Sequence, residues 1–189
     1  MNLTAEGRVT LGRTGLAVSR LGLGCSALGG VFGAVTESDA VDTVHAALEA
    51  GMNLFDVAPA YAATRSERIL GAALAGVDRA DYVLSTKAGK TTDENGVDHF
   101  DYSEDAIRRS VGESLERLGT DRLDIVHLHD FDYQGGRHVA KALAEGFPTL
   151  HALKSEGVIA AVGAGIYAME LWQRVLVEVD LDAIILHNH

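Results

Sequence analysis

Four side chains in this sequence are of types that can move a proton together: Asp56, Tyr61, Lys87 and His129. A phenol has an ordinary pKa of about 10, too high for easy proton exchange at neutral pH. A neighbouring ammonium favours the phenolate, and a carboxylate beside that ammonium keeps it charged and oriented. A histidine can donate a hydrogen bond to a substrate oxygen. Such a set makes a proton donor or acceptor facing a carbonyl or an alcohol. No side chain supplies a hydride, so the same reading calls for a nicotinamide cofactor, NAD or NADP. Each residue also has a plainer reading. Asp56 can cap a turn before Pro59, and Tyr61 can pack under a loop. Lys87 can snorkel from a strand end, and His129 can be a satisfied core histidine.

What decides between these readings is where the surrounding elements put the four groups. Arg8 to Ser19 carries two short β-prone pieces around Gly12-Arg13-Thr14-Gly15, which predicts a hairpin. Leu21–Gly24 reads as a buried strand. Thr36-Glu37-Ser38-Asp39 opens a helix, with Thr36 as N-cap and Asp39 as an acidic variant of the capping box. Ala40, Val44, Ala47 and Leu48 follow at helical spacing, and Gly51 closes the helix. The alternation then repeats: strand 53–56, helix 66–74, strand 82–87, a polar loop from Lys90 to Asp101, a helix capped at Ser103, and strand 124–129. Helical sequence interrupted near Gly146-Phe147-Pro148 comes next, then strand 160–163, helix 169–179 and strand 183–187. Strict alternation means parallel strands joined by right-handed crossovers.

Two architectures fit. A doubly wound sheet would carry Gly-x-Gly-x-x-Gly after its first strand, and Gly22-x-Gly24 lacks the third glycine, with Ala27 in its place. The other is an α/β (β/α)8 TIM barrel with an N-terminal β-hairpin, cut short after the sixth strand. A barrel takes about 250 residues, so the expectation is a single, partial barrel domain over residues 1–189 with open sheet edges. In a barrel the chemistry lies at the C-terminal strand ends. Read in order, those ends carry Gly24-Cys25, Asp56 with Tyr61, Lys87, His129-Asp130, Gly163-Ala164-Gly165 and His187-Asn188.

Composition narrows the partners. The 189 residues are 47% hydrophobic and 23% charged, which suits a globular domain. A net charge of −11 argues against nucleic acid. A single cysteine, Cys25, forms no intrachain disulfide and fits a reducing compartment. Met1 to Glu6 has no apolar signal region, and the uncharged run Gly157–Met169 is too short and glycine-rich to span a bilayer. The expectation is a cytoplasmic protein with a small-molecule partner, no membrane and no nucleic acid.

The chain also resembles the aldo-keto reductases. The matching motifs, in order, are Leu11-Gly12-Arg13-Thr14-Gly15-Leu16, Leu21-Gly22-Leu23-Gly24, Asp56 to Tyr61, Ser66-Glu67-Arg68-x-Leu70-Gly71, Ser85-Thr86-Lys87, Ser114-Leu115-x-Arg117-Leu118, Asp124-Ile125-Val126 and His129-Asp130. Phe100-Asp101-Tyr102-Ser103, His129-Asp130 and the Gly163-Ala164-Gly165 turn are similar to the aldose 1-dehydrogenase branch, which acts on sugars such as L-galactose, L-fucose and D-threo-aldoses. The resemblance implies a barrel that binds NAD(P) without a Rossmann fold. It implies Tyr61 as general acid/base, Lys87 and Asp56 as its tuning pair, and His129 as the group that orients the substrate oxygen. Gly24, Cys25 and Ser26 would lie near the nicotinamide, with Asp56, Ala164, Gly165 and His187 completing the cofactor contacts.

The sequence departs from the family pattern in three places. Ala62 and Thr64 follow the tyrosine where many members have glycine, Ala164-Gly165 replaces Ser-Asn, and His187 replaces glutamine. The family segment that grips the pyrophosphate and the adenosine ribose falls after the sixth strand, so weak cofactor binding by these 189 residues is expected. The substrate implied is a small aldose oxidised at C1 to a lactone, with pyridoxal as the alternative. Cys25, Phe131 and Tyr133 are candidate pocket residues. A metal-dependent barrel hydrolase, using the pairs His127-x-His129 and His187-x-His189, is a reading from another class. A barrel that binds cofactor without catalysis is a further one.

Overall fold

A computed structural model describes residues 7–186, so His187, expected at the cofactor, and the His187-x-His189 pair lie outside the described residues. The elements in order are β1 (Arg8–Thr10), β2 (Ala17–Ser19), β3 (Leu23–Gly24), a 3₁₀ turn (Cys25–Gly29), α1 (Glu37–Glu49), β4 (Leu54–Asp56) and α2 (Arg65–Leu74). Then come β5 (Val83–Ala88), β6 (Lys90–Thr92), β7 (Asp98–Phe100), α3 (Glu104–Leu118) and β8 (Leu123–His129). The remainder is α4 (Val139–Lys141), a π turn (Ala142–Gly146), α5 (Phe147–Ser155), β9 (Ile159–Gly165), α6 (Met169–Glu178) and β10 (Ala183–Ile185).

Six strands form one curled parallel sheet in the order β3-β4-β5-β8-β9-β10, the partial barrel expected from the alternation. Neighbours follow chain order because each helix returns the chain to the edge just built. Side chains alternate across the strands. Phe55, Leu84, Val126, Leu128, Val162 and Ala164 face outward into a core shared with the helices. Leu54, Asp56, Ser85, Ile125, His127, Ala183 and Ile185 face the concave interior.

The β1–β2 hairpin, antiparallel with Val9 opposite Val18, closes the N-terminal end of that interior. Val18 packs there with Val83, Ile125 and Ala161. Buried Asn53 staples it in place: its side-chain oxygen accepts from the Ser19 N–H at 2.6 Å, its amide donates to the Ala17 carbonyl at 2.9 Å, and its own N–H donates to Ser19 Oγ at 2.9 Å.

Thr36 and Ser103 cap their helices as the sequence predicts, but the Asp39 carboxylate accepts from the Thr36 hydroxyl and not from its backbone N–H as a capping box would. Thr36 Oγ1 accepts from the Asp39 N–H and donates to Asp39 Oδ2. Ser103 Oγ accepts from the Ala106 N–H. The interruption near Pro148 is a π turn within otherwise continuous helical backbone. Proline has no N–H and crowds the preceding turn, and the widened Ala142–Gly146 turn takes up the misfit.

Two expectations change. The Lys90–Asp101 stretch is an antiparallel hairpin, β6–β7, with Lys90 opposite Phe100. Strand β9 runs on to Gly165, so Gly163-Ala164-Gly165 is strand and not a turn. Among the described residues, no helix is long and apolar enough to cross a membrane.

Candidate active site

Tyr61 lies on the turn after β4, and Asp56, Lys87 and His129 come from β4, β5 and β8. All four meet at the C-terminal mouth of the sheet around a cavity of about 190 Å³, which Asp130, Gly165, Tyr167 and Ile185 also line. Parallel pairing sets the arrangement, with Asp56 opposite Ser85, Lys87 opposite His127 and His129 opposite Gly165.

Lys87 is buried. Its Nζ donates to Asp56 Oδ2 at 2.6 Å and to the Val57 carbonyl at 2.9 Å. The same ammonium faces Tyr61, whose ring centre is 4.9 Å away. Ser85 Oγ donates to Asp56 Oδ1 at 2.6 Å, so both carboxylate oxygens are held. Snorkelling is therefore ruled out for Lys87: its charge is turned inward, bonded to a carboxylate and facing the Tyr61 ring. The His129 ring meets the Tyr61 ring edge-on, centres 6.1 Å apart. The Tyr102 hydroxyl donates to the His129 carbonyl at 2.6 Å and fixes that strand end.

Burial opposes the Lys87 charge, but attraction to Asp56 and Tyr61 outweighs it and raises the pKa above its ordinary value. Burial also dominates at Tyr61. The Lys87 ammonium pulls the phenol down, Asp56 pushes it up, and the net result lies above the ordinary range. The lowering expected from a lysine neighbour is present but smaller than the desolvation. Burial, then repulsion from Lys87 and Lys90, holds His129 well below the ordinary imidazole range. Burial lowers His127 to about 4. Both rings are neutral at pH 7, each with one N–H to donate.

Gly24, another candidate cofactor residue, borders the adjoining interior cavity with Asp56. Ser26 is half-buried, and its carbonyl accepts from Ser66 Oγ. Cys25 and Ala164 are different: both side chains are wholly buried in the core between sheet and helices. Burial pushes the Cys25 thiol up to about 12. Gly165 does line the cavity. Phe131 is wholly buried in the core, while Tyr133 is partly exposed. Sequence reasoning gave Ser85, Tyr102 and Lys90 no role. For Ser85, the available sign was its position two residues before Lys87 on the same strand face.

His127 lies beneath the site. Its Nδ1 is buried without a partner, and a Cβ on Gly163 would stand 2.1 Å from that atom, so the ring occupies space that only glycine leaves. Among the described residues, no three His, Cys, Asp or Glu side chains gather as a metal ion needs.

The aldo/keto reductase family model matches residues 20–189. An L-galactose dehydrogenase from Arabidopsis thaliana is 40% identical over 184 residues, covering 95% of this chain and 55% of the relative. A D-threo-aldose 1-dehydrogenase from a Pseudomonas species is 37% identical, covering 90% of this chain and 56% of its own length. The chain thus spans about half the length of these curated relatives. The holo form of an aldo-keto reductase from Bacillus halodurans superposes with a TM-score of 0.83 at 30% identity, covering 96% of this chain and 57% of that one. The strand-end tetrad, the curled parallel sheet and these matches lead to one conclusion: the chain belongs to the aldo/keto reductase family.

Proposed function

We propose that this chain carries the catalytic half of an NAD(P)-dependent oxidoreductase that oxidises a small aldose at C1 to its lactone. The observation that carries the reading is the buried Lys87 ammonium, held by Asp56 and turned toward Tyr61 at the cavity wall. Two relatives named as sugar dehydrogenases support the substrate class. A nicotinamide cofactor, when bound, accepts the hydride that leaves C1. The cavity fits such a ring in chemistry: Gly165 leaves backbone open to it, while Ile185 and Tyr167 offer flat apolar walls. Cys25 and Ala164 lie behind the backbone and contribute no side chain to it.

The residues of the chain handle the proton. As the C1 hydroxyl becomes a carbonyl, its O–H bond breaks and the proton passes to Tyr61 in its phenolate form, a minor form that burial disfavours and Lys87 favours. Lys87 stabilises that phenolate, and Asp56, fixed by Ser85, keeps Lys87 charged and aimed. Neutral His129 donates a hydrogen bond to the sugar oxygen and sets its angle to Tyr61. In the reverse direction the same phenol protonates the carbonyl oxygen.

The test is steady-state reduction of NAD⁺ and of NADP⁺ against a panel of aldoses and pyridoxal. Tyr61→Phe is expected to lose turnover by about 10²–10⁴-fold while retaining cofactor affinity in a fluorescence titration. Undiminished turnover in Tyr61→Phe removes the phenol from the chemistry.

A further inference from the structure

Asp130, the residue after His129, has no part in the proton chemistry above. Ordinary strand alternation would send the side chains of residues 129 and 130 to opposite faces. Here both line the same cavity. Asp130 takes a left-handed backbone, with φ of 51°, and its N–H is tied to the Gly165 carbonyl at 2.9 Å. That conformation is costly for a residue with a side chain and persists where the surroundings enforce it.

The carboxylate is half-engaged. Oδ2 accepts from Lys90 Nζ at 3.0 Å, and His129 Nε2 stands 3.6 Å from it. Among the described residues, nothing donates to Oδ1. A carboxylate this buried is normally bonded at both oxygens, and Asp130 is only 5% exposed. Lys90 is itself clamped. It bridges to Asp98 on β7 at 3.0 Å and lies 4.7 Å above the Tyr133 ring. Beside this pair the Tyr133 ring stands 5.9 Å from that of Tyr167, which lines the cavity. An acceptor at the cavity wall with aromatic faces beside it matches a polyhydroxylated ring, which has apolar C–H faces and a hydroxyl edge.

We propose that Asp130 is a specificity residue, whose Oδ1 accepts a hydrogen bond from a hydroxyl next to the reacting carbon, and that Lys90 is the positioning residue that holds it in place. The proposal rests on the sugar-oxidising reading above and deepens it. Lys90 fixes Oδ2, so Oδ1 has one orientation to offer. A carbonyl compound without hydroxyls gains nothing from Asp130, whereas an aldose that loses the acceptor leaves a hydroxyl unpaired in a closed site.

The experiment compares kcat and KM for an aldose with those for butanal, in wild type and in Asp130→Asn, Asp130→Ala, Lys90→Met and Lys90→Arg. The ratio of kcat/KM for aldose to that for butanal is expected to fall about 30-fold in Asp130→Ala, chiefly through KM, and about 10-fold in Asp130→Asn. Lys90→Met should move the ratio in the same direction, with Lys90→Arg restoring most of it. Thermal midpoints of all four variants report whether the mouth still folds. Equal losses on both substrates, in an enzyme whose wild type oxidises aldoses, overturn the role of Asp130 alone. A wild type that reduces butanal and turns over no aldose removes the sugar reading and this proposal with it.

Discussion

At the scale of single residues, the site is a balance of burial against charge. Lys87 keeps its proton because Asp56 and Tyr61 together outweigh desolvation, while the two histidines, lacking such partners, stay neutral. That asymmetry carries over into stability. His127 titrates at 6.5 in an unfolded chain and at about 4 in the fold, so below pH 6.5 the unfolded state binds the extra proton. Its contribution is fully present above about pH 6.5 and disappears as pH falls through 4. The expected loss across that window is about 3 kcal/mol, with His129 acting in the same sense. Urea unfolding at pH 7 and pH 4.5 should show the fall in wild type and a shallower one in His127→Gln. Equal slopes in the two proteins would mean that the His127 ring is not desolvated in solution.

At the scale of elements, the turn after Tyr61 is the strained piece. Ala62, Ala63 and Thr64 all have positive φ, at 50°, 50° and 70°. Each left-handed non-glycine residue costs roughly 1–2 kcal/mol. Thr64→Gly is expected to stabilise the protein by about 0.5–1 kcal/mol once the looser unfolded chain is counted, measurable as a higher denaturant midpoint. The opposite change has the opposite sign. A Cβ on Gly29 would stand 2.5 Å from both Ala62 Cβ and Ser66 Oγ, so Gly29→Ala should destabilise by about 1–3 kcal/mol.

The sequence showed that this turn was unusual, since Ala62 and Thr64 stand where glycines suit the backbone. It also showed which strand ends carry the chemistry, because a polar residue closing an apolar run is visible without coordinates. It concealed β6–β7, whose strands are three polar-rich residues each and are held by Lys90 meeting Asp130 forty positions away. It left the facing of Ala164 unread because ending β9 at Gly163 turns a strand residue into a turn residue, and facing cannot be read for a turn. The facing of Cys25 was hidden for a related reason: the 3₁₀ turn after β3 rotates its side chain into the core.

At the scale of the whole molecule, β3 and β10 are the ends of the six-stranded sheet. Between them lies an interior cleft of about 300 Å³, bounded by apolar side chains that include Leu23, Leu54, Ile125 and Ile185. A protein of these 189 residues is expected to bind an apolar fluorescent dye in that cleft, with an emission increase that Ile185→Asp abolishes. Dye emission unaffected by Ile185→Asp would place the dye elsewhere, for instance at exposed Phe32 or Val177.

The Asp56–Lys87 and Lys90–Asp130 pairs, and two further sequestered pairs, Glu67–Arg117 and Arg79–Asp124, also have a direction in time. Asp56 precedes Lys87 by 31 positions, Glu67 precedes Arg117 by 50, Arg79 precedes Asp124 by 45 and Lys90 precedes Asp130 by 40. At a synthesis rate of roughly 5–20 residues per second, each first partner waits about 2–10 s for its counter-charge. A ribosome therefore delivers each neutralising charge within 50 residues of the first, so none of these four charges waits for a distant segment.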